Sequence, residues 1–477
     1  MPKLKIALVG TSQLSFPGDK RERFKRSADA LQITADKMDL DLYVYPDEVI
    51  NEDDAIRAVK ACEGHGTDFL LLQNTSFSAG RLAPVFARIR NARLGIWAIP
   101  EEAESGAVPF NSFCSMNMYK SIIGNYLREY DIPVKWFYGN TGDAVFDDRF
   151  TVTVRSLKAI KKLSAAKIAL IGGIAPGFDD LYFDERKLLK RFDGMSFNRL
   201  HEFSEIKDRA LSYKAQDLPG AMKILSEGST GVHPKSYALL ETNARVYLAY
   251  KDLIRENSYD ALAISCWPKF QSEMRYSVCS VVAQLNDEGI IASCEGDVLS
   301  AVSMIMLSAI SGEQTTLMDL SDFDASDDTV LMWHCGPASR RFMGDKAFSL
   351  GVNYHGLPHT EGEELNSCGV VRDMVFAPQH ITVGRISGEC DRILIAEGDF
   401  LGDVKPSFFG SRGWLGNLKL NQEEIGVMDF VNTILVRNYE HHYPIAPGDL
   451  TNELMEIAAW LKFAPVEKVC HKKYLQI

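Results

Sequence analysis

Glu295, in Ser-Cys-Glu-Gly-Asp (293–297), and Asp319, in Leu-Met-Asp-Leu (317–320), stand 24 positions apart. Two carboxylates that meet in an open crevice are natural ligands for a hard divalent cation. Whether they meet depends on what lies between them. Residues 289–294 (GIIASC) read as a short buried strand, 298–310 as a helix apolar on nearly every face, Gly312 as its stop, and 315–318 as the start of a second strand. That pattern is a β-α-β unit. A helix of about 13 residues runs back about 20 Å at ~1.5 Å per residue, and a strand of ~5 residues at ~3.3 Å each largely retraces it. Both acids are then expected at the carboxyl ends of parallel strands, as close as ~5 Å, where open α/β sheets place ligands. Blander roles exist as well. Glu295 could simply favour the helix dipole, Asp297 fits an N-cap better than a ligand role, and Asp319 could be a strand-end turn residue.

Other residues with ligand chemistry are scattered. His441 and His442, in Tyr-Glu-His-His-Tyr-Pro (439–444), offer a nitrogen ligand, although adjacent histidines in a polar stretch also suit a surface loop. His334, in Trp-His-Cys-Gly (333–336), follows a strand-like run and admits both a satisfied core histidine and a site residue. His355 and His359 are four apart, but Gly356 and Pro358 argue against the helix that a zinc motif needs. Gly172-Gly173 with Pro176-Gly177 follows a strand as a phosphate loop would, yet it is not GxGxxG and has no Walker lysine.

The rest of the chain limits what can surround these residues. At 477 residues, 46% hydrophobic and 24% charged, it has the composition of a globular protein with several domains. A formal charge of −12 and the lack of a long basic tract argue against nucleic acid or an anionic membrane as partner, while leaving room for a small anion held by a local basic cluster. The apolar stretches are too short to span a bilayer, and the N-terminal MPKLKIALVG runs directly into a strand pattern, so neither a membrane anchor nor a cleavable leader is expected. Nine cysteines without a CxxC pair suit reduced thiols, and a cytoplasmic location is expected.

Along the chain, three domains are expected. Strand-like runs at 4–9, 68–73 and 94–99, separated by helical segments at 21–38 and 52–64, make an N-terminal α/β domain over 1–160. A second α/β domain, 161–329, has strand patterns at 167–171 and 261–266, a helix over 242–256, and the acid pair. From 330 to 477 the texture becomes β-rich, with short runs at 330–334, 370–376, 381–386 and 392–396 and helical stretches at 425–437 and 450–463. The fold class is therefore α/β: two doubly wound α/β domains followed by a β-rich C-terminal domain. No dinucleotide fingerprint supports a dehydrogenase, whereas a non-catalytic sugar-binding protein would show similar paired α/β domains without needing a metal triad.

These pieces occur in a familiar order. Glu-Gly-Asp-x-x-x-Ala (295–301), with an acid 24 residues after the glutamate, resembles the metal-binding segment of the L-fucose isomerase and L-arabinose isomerase families. His442, ahead of a helix starting near Leu450, is similar to their C-terminal ligand histidine. Gly-Thr-Ser-Gln-Leu (10–14) resembles the loop after the first strand of arabinose isomerases, NSFCSMN (111–117) falls where such enzymes carry an asparagine-containing substrate loop, and His334 and FGSRGW (409–414) look like parts of the shorter fucose-isomerase-like proteins. The resemblance implies a metal-dependent aldose–ketose isomerase. Glu295, Asp319 and His442 would hold one ion, manganese before magnesium or cobalt. Glu295 and Asp319 would be the acid–base pair of a cis-enediolate mechanism, in undecided order. Candidate substrate contacts are Gln13, Asn111, Trp267, Gln271, His334, Arg412 and Trp414. A homo-oligomer is implied, hexamer favoured, with substrate loops such as 111–117 at subunit contacts. The shorter proteins of this kind include enzymes that isomerise sulfoquinovose, which ranks first as substrate ahead of L-fucose, D-arabinose or another neutral sugar. Its sulfonate would need Arg412, or else Lys20, Arg21 and Arg23.

Overall fold

Apolar runs such as FLLL at the start of Phe69–Asn74, a strand buried along its whole length, offer no polar face to water and so stack as parallel strands covered by helices. The computed structural model describes residues 3–343, 347–354 and 368–472, and the chain divides into two compact units, Met1–Lys158 and Ala159–Ile477. In the first unit β1 (Leu4–Thr11), β2 (Leu40–Val44), β3 (Phe69–Asn74), β4 (Arg93–Ala98) and β5 (Val134–Tyr138) form a parallel sheet in the order β2-β1-β3-β4-β5. Two of its helices begin where the sequence supplies caps. Asp19 accepts the N–H of Glu22 at 3.1 Å to start Lys20–Lys37, and Asn51 and Asp54 cap each other's backbone to start Glu52–His65. Strand order reverses between β1 and β3, and beside their carboxyl ends lies a cavity of about 450 Å³ lined by Ser12, Lys20, Arg21, Glu48 and Thr75 among others.

The second unit contains two sheets. The first is parallel, in the order β7-β6-β8-β9, built from β6 (Lys167–Ile171), β7 (Ser196–His201), β8 (Ala261–Ile264) and β9 (Ile291–Ser293). The second comprises β10 (Thr316–Asp324), β11 (Thr329–His334), β12 (Ser349–Asn353), β13 (Cys368–Val375), β14 (Gln379–Ile386), β15 (Arg392–Phe400), β16 (Ser411–Leu420), β17 (Glu423–Glu424), β18 (His442–Pro447) and β19 (Ala464–Pro465). Within it β16-β11-β10-β18-β14-β15 run antiparallel, and β15 pairs back onto β16. The ring is a closed barrel, which leaves none of these six strands as an open edge. Parallel α/β sheets followed by a β-rich C-terminal part is the fold class expected from the sequence.

One expectation is corrected. β9 and β10 are not parallel neighbours in a β-α-β unit: β10 pairs antiparallel with β11 and β18 in the barrel. The reason is legible in the helix that joins them. Val298–Ser311 is apolar all round because it is covered on two sides, packing on β8 and β9 of the parallel sheet and on β14 and β18 of the barrel. It still runs back along the sheet, so Glu295 before it and Asp319 after it return to the same end.

His355 and His359 lie outside the described residues. Among the described residues no helix is long and apolar enough to cross a membrane. All nine cysteines are free thiols.

Candidate active site

Glu295 is positioned by a turn that few residues tolerate. It follows β9 with φ of 59°, in the left-handed region, and Gly296 follows at 76°. A Cβ on Gly296 would stand 2.4 Å from the carbonyl oxygen of Gly173, so glycine is required for the close approach of the two loops. The Ala175 N–H donates to the Glu295 carbonyl at 2.9 Å, and the Gly296 N–H to that of Ile264 at 3.0 Å. The Gly172-Gly173 turn thus braces the glutamate. Asp297 caps the following helix, its carboxylate accepting the Ser300 N–H at 2.8 Å and the Ser300 hydroxyl at 2.7 Å.

Asp319 and His442 are brought together by strand register, since they face each other directly across the β10–β18 pair. Nε2 of His442 lies 3.2 Å from Glu295 Oε2 and 3.6 Å from Asp319 Oδ1. On the other side of the ring, Nδ1 donates to Asp297 at 2.9 Å. Asp297 is fully buried and forms a 2.5 Å ion pair with Arg385, itself 1% exposed and also near Glu440 at 3.4 Å. His441 joins from outside, with Nε2 at 3.2 Å from Glu295 Oε2 and Nδ1 at 2.7 Å from Asp180.

The carboxylates and imidazoles of this cluster hold one another in their charged forms. Burial alone would lower the His442 pKa, but Asp297 and Glu295 override it and push it up to about 10. Burial would raise Glu295, yet His441 and His442 hold its carboxyl well below the usual range. Burial likewise opposes the ionised form of Asp297, and Arg385 and His442 reverse it. Because Nδ1 of His442 is committed to Asp297, it is Nε2 that faces the two carboxylate oxygens. Either a proton or a metal ion must stand between them.

A second buried histidine reaches the cluster. The Cys335 N–H donates to Nδ1 of His334 at 2.8 Å, which leaves the proton on Nε2. Nε2 of His334, Nε2 of His442 and Oδ1 of Asp319 are buried polar atoms without a hydrogen-bond partner among the described residues. Two sets of possible metal ligands, each with its atoms within 4.8 Å of one another, meet here: Glu295 with His441 and His442, and Asp319 with His334 and His442, so that His442 is common to both. Glu295, Asp319 and His442 offer two carboxylate oxygens and a ring nitrogen backed by a carboxylate, the usual support for a ligating imidazole, whereas His334 offers a donor hydrogen.

Beside this cluster is a cavity of about 250 Å³. Of the residues singled out in the sequence, Glu295, Asp319, Trp267, Gln271 and His334 line it. Phe178, Trp267 and Trp333 give it aromatic walls, Phe178 standing edge-on to Trp267 at 6.2 Å. Arg412 and Trp414 do not line it. The Arg412 guanidinium is paired with Asp373 and donates to the Gly410 carbonyl at 2.7 Å, and the Trp414 indole N–H donates to Pro406 at 3.0 Å under the Lys405 ammonium. Gln13 and Asn111 belong to the first unit. The Gln13 N–H donates to the Ser76 hydroxyl at 3.1 Å, and Asn111, at φ of 56°, precedes the helix Ser112–Tyr126. Sequence reasoning did not single out Arg385, Asp180 or the link from Asp297 to His442. A charged residue inside the apolar run of β14 was the one available signal for Arg385.

A metal-competent carboxylate–imidazole cluster on the wall of a small cavity, in an α/β and β-barrel unit, defines a class of site suited to small-molecule chemistry. Comparison with known proteins narrows it. Sulfoquinovose isomerase of Priestia aryabhattai is 24% identical to this chain over 423 residues, spanning 88% of it and 90% of the relative. The sulfoquinovose isomerases of Alkalicoccus urumqiensis and Clostridium sp. (strain MSTE9) are 24% and 25% identical, spanning 88% and 82% of this chain and 91% and 84% of their own lengths. These relatives accord with the resemblance to the fucose and arabinose isomerase families. No family model matches the chain. Among solved structures, a solute-binding protein of an ABC transporter from Agrobacterium vitis, bound to alpha-D-tagatopyranose, is 11% identical and covers 65% of this chain and 90% of its own at a TM-score of 0.19, too slight a likeness to bear on fold or ligand.

Proposed function

We propose that the protein is a metal-dependent aldose–ketose isomerase that converts sulfoquinovose to sulfofructose through a cis-enediolate. The observation that carries the isomerase reading is the approach of Glu295 and Asp319, both on the wall of a monosaccharide-sized cavity, to Nε2 of the buried His442 behind them. The near full-length relatives named sulfoquinovose isomerase support the choice of sugar.

Isomerisation moves a proton between C1 and C2 while the adjacent oxygens exchange carbonyl and hydroxyl character. A divalent ion held by Glu295, Asp319 and His442, manganese before magnesium or cobalt, would supply electrostatic stabilisation for the negative charge that develops on those oxygens. The chain's own residues do the rest. Glu295 or Asp319 takes the proton from one carbon and returns it to the other. His334, its Nε2–H fixed by the Cys335 amide, donates to a sugar oxygen. Trp267, Phe178 and Trp333 cover the apolar faces of the sugar and limit water in the cavity. Asp297, backed by Arg385, keeps His442 in its ligating tautomer. The homo-oligomer and the cytoplasmic location are part of the same proposal, the latter supported by nine free thiols.

Two predictions follow directly from the proposed site. The purified protein should bind about one divalent ion per chain, and His442→Ala should abolish that binding, as read by metal analysis after dialysis; full occupancy in the variant would remove His442 from the ligand set. The second prediction concerns the sugar. In kcat/KM measured with added manganese, sulfoquinovose should exceed L-fucose and D-arabinose by the worth of a desolvated charge pair, roughly 2–4 kcal/mol.

A neutral-sugar isomerase has one observation in its favour: among the described residues lining the cavity there is no lysine or arginine. Arg412 is engaged by Asp373, while Lys20 and Arg21 line the cavity of the first unit. Replacing Arg412, and separately Lys20 with Arg21, by methionine identifies the sulfonate's partner as the set whose loss erodes discrimination against neutral sugars. A wild-type preference for a neutral sugar would overturn the sulfonate assignment.

A further inference from the structure

The cavity is unusually rich in thiols that the proposed reaction does not use. Cys266, Cys279 and Cys335 line it, and Cys294, just before Glu295, sits against Cys266. One pair stands out by its geometry. Cys279, the first residue of the helix Cys279–Asp287, holds its Sγ 3.2 Å from Sγ of Cys335. Cys335 follows β11 directly, its Sγ lies 3.2 Å from Nδ1 of His334, and its backbone N–H is the group that fixes the His334 tautomer. Cys335 is the more accessible of the two, whereas Cys279 is 3% exposed.

We infer that Cys279 and Cys335 form an oxidisable dithiol, which a small hydroperoxide admitted to the cavity converts to a disulfide that shuts the substrate site reversibly. With hydrogen peroxide, the Cys335 sulfur attacks one peroxide oxygen. The O–O bond breaks, a sulfenic acid forms, and the departing hydroxide leaves as water with the proton of the thiol. The Cys279 sulfur then attacks the sulfenic sulfur; the S–S bond forms, the S–O bond breaks, and a second water leaves with the Cys279 proton. Two thiols lose two electrons in all, and one peroxide becomes two waters. The neighbouring Cys279 sulfur and burial hold the Cys335 thiol well above its ordinary pKa, so the first step is slow and selectivity comes from placement rather than acidity. Bond formation draws Cys335 toward the helix, and the amide that orients His334 moves with it.

The effect on turnover rests on the isomerase reading, but formation of the disulfide does not. The full-length protein is treated with hydrogen peroxide, remaining thiols are alkylated, the linked peptides are mapped by mass spectrometry, and turnover is measured before and after dithiothreitol. The expected result is one linked peptide joining Cys279 to Cys335, with turnover lowered on the order of 10²-fold and recovered on reduction. Cys279→Ser, compared with its own untreated activity, should give no linked peptide and should leave Cys335 trapped as a sulfenic acid. Full alkylation of both thiols after treatment, or linkage of Cys266 to Cys294 instead, overturns the dithiol. Linkage of Cys279 to Cys335 with unchanged turnover overturns the closure of the site. If no sugar is turned over at all, peptide mapping still decides the modification.

Discussion

Glu295→Gln should yield a folded protein whose kcat on sulfoquinovose is lower by roughly 10²- to 10⁴-fold, the range removed with a positioned acid–base group. The amide is nearly isosteric and leaves the left-handed turn at 295–296 intact, so the loss reports chemistry rather than folding. It can neither accept a proton from carbon nor neutralise the imidazoles of His441 and His442, which lie 3.2 Å from the native oxygen. Steady-state kinetics beside circular dichroism provide the check. A kcat within threefold of wild type would remove Glu295 from the proton path.

Asp297→Asn should be among the most destabilising single changes in the second unit, by about 3–5 kcal/mol, because it strands the buried Arg385 guanidinium without its counter-charge. Glu440, at 3.4 Å, is a weaker substitute. The same substitution should change the acid limb of stability. Asp297 has its carboxyl held below the ordinary value in the folded protein, so its contribution is fully present above the unfolded pKa of about 3.9 and is lost as pH falls below it. Urea unfolding at pH values from neutral down to about 4 and below should therefore show a smaller acid loss in the variant than in wild type. Equal stability of the two proteins at neutral pH would mean that the Asp297–Arg385 pair contributes nothing net.

The alternation of apolar runs and amphipathic helices was enough to read two parallel α/β layers and a β-rich end, because the inner strands of those layers are largely apolar segments, whereas β2, β5 and β7 carry polar residues and gave no such signal. The pairing partners of β10 were not legible. An all-apolar helix looks the same whether it crosses back over one sheet or lies between two, and only the long-range pairing of β10 with β18 distinguishes them. The strand that carries His442 was hidden for a different reason: Pro444 and Pro447 lie within it, and proline argues against a central strand. In the site, the spacing of Glu295 and Asp319 carried real information, because a helix and a strand return the chain whatever their sheets. Histidine roles were not legible. That His442 turns Nε2 toward the two acids and His334 offers a hydrogen depends on Asp297 and on the Cys335 amide, contacts made by tertiary packing and by a local turn. Arg412 was singled out as a cation beside an aromatic residue, and the fold sets it against Asp373 on the neighbouring strand β13.

The proposed isomerisation of a sulfo-sugar passes a proton through a carboxylate. Incubation of sulfoquinovose with the manganese-loaded protein in deuterated water, followed by proton and carbon NMR, tests it most directly. A proton held by Glu295 or Asp319 exchanges with solvent, so the predicted result is sulfofructose carrying deuterium at C1, with deuterium appearing at C2 of the recovered aldose. Absence of any ketose would contradict the isomerase, and ketose free of label after many turnovers would contradict the carboxylate proton path in favour of a direct hydride shift.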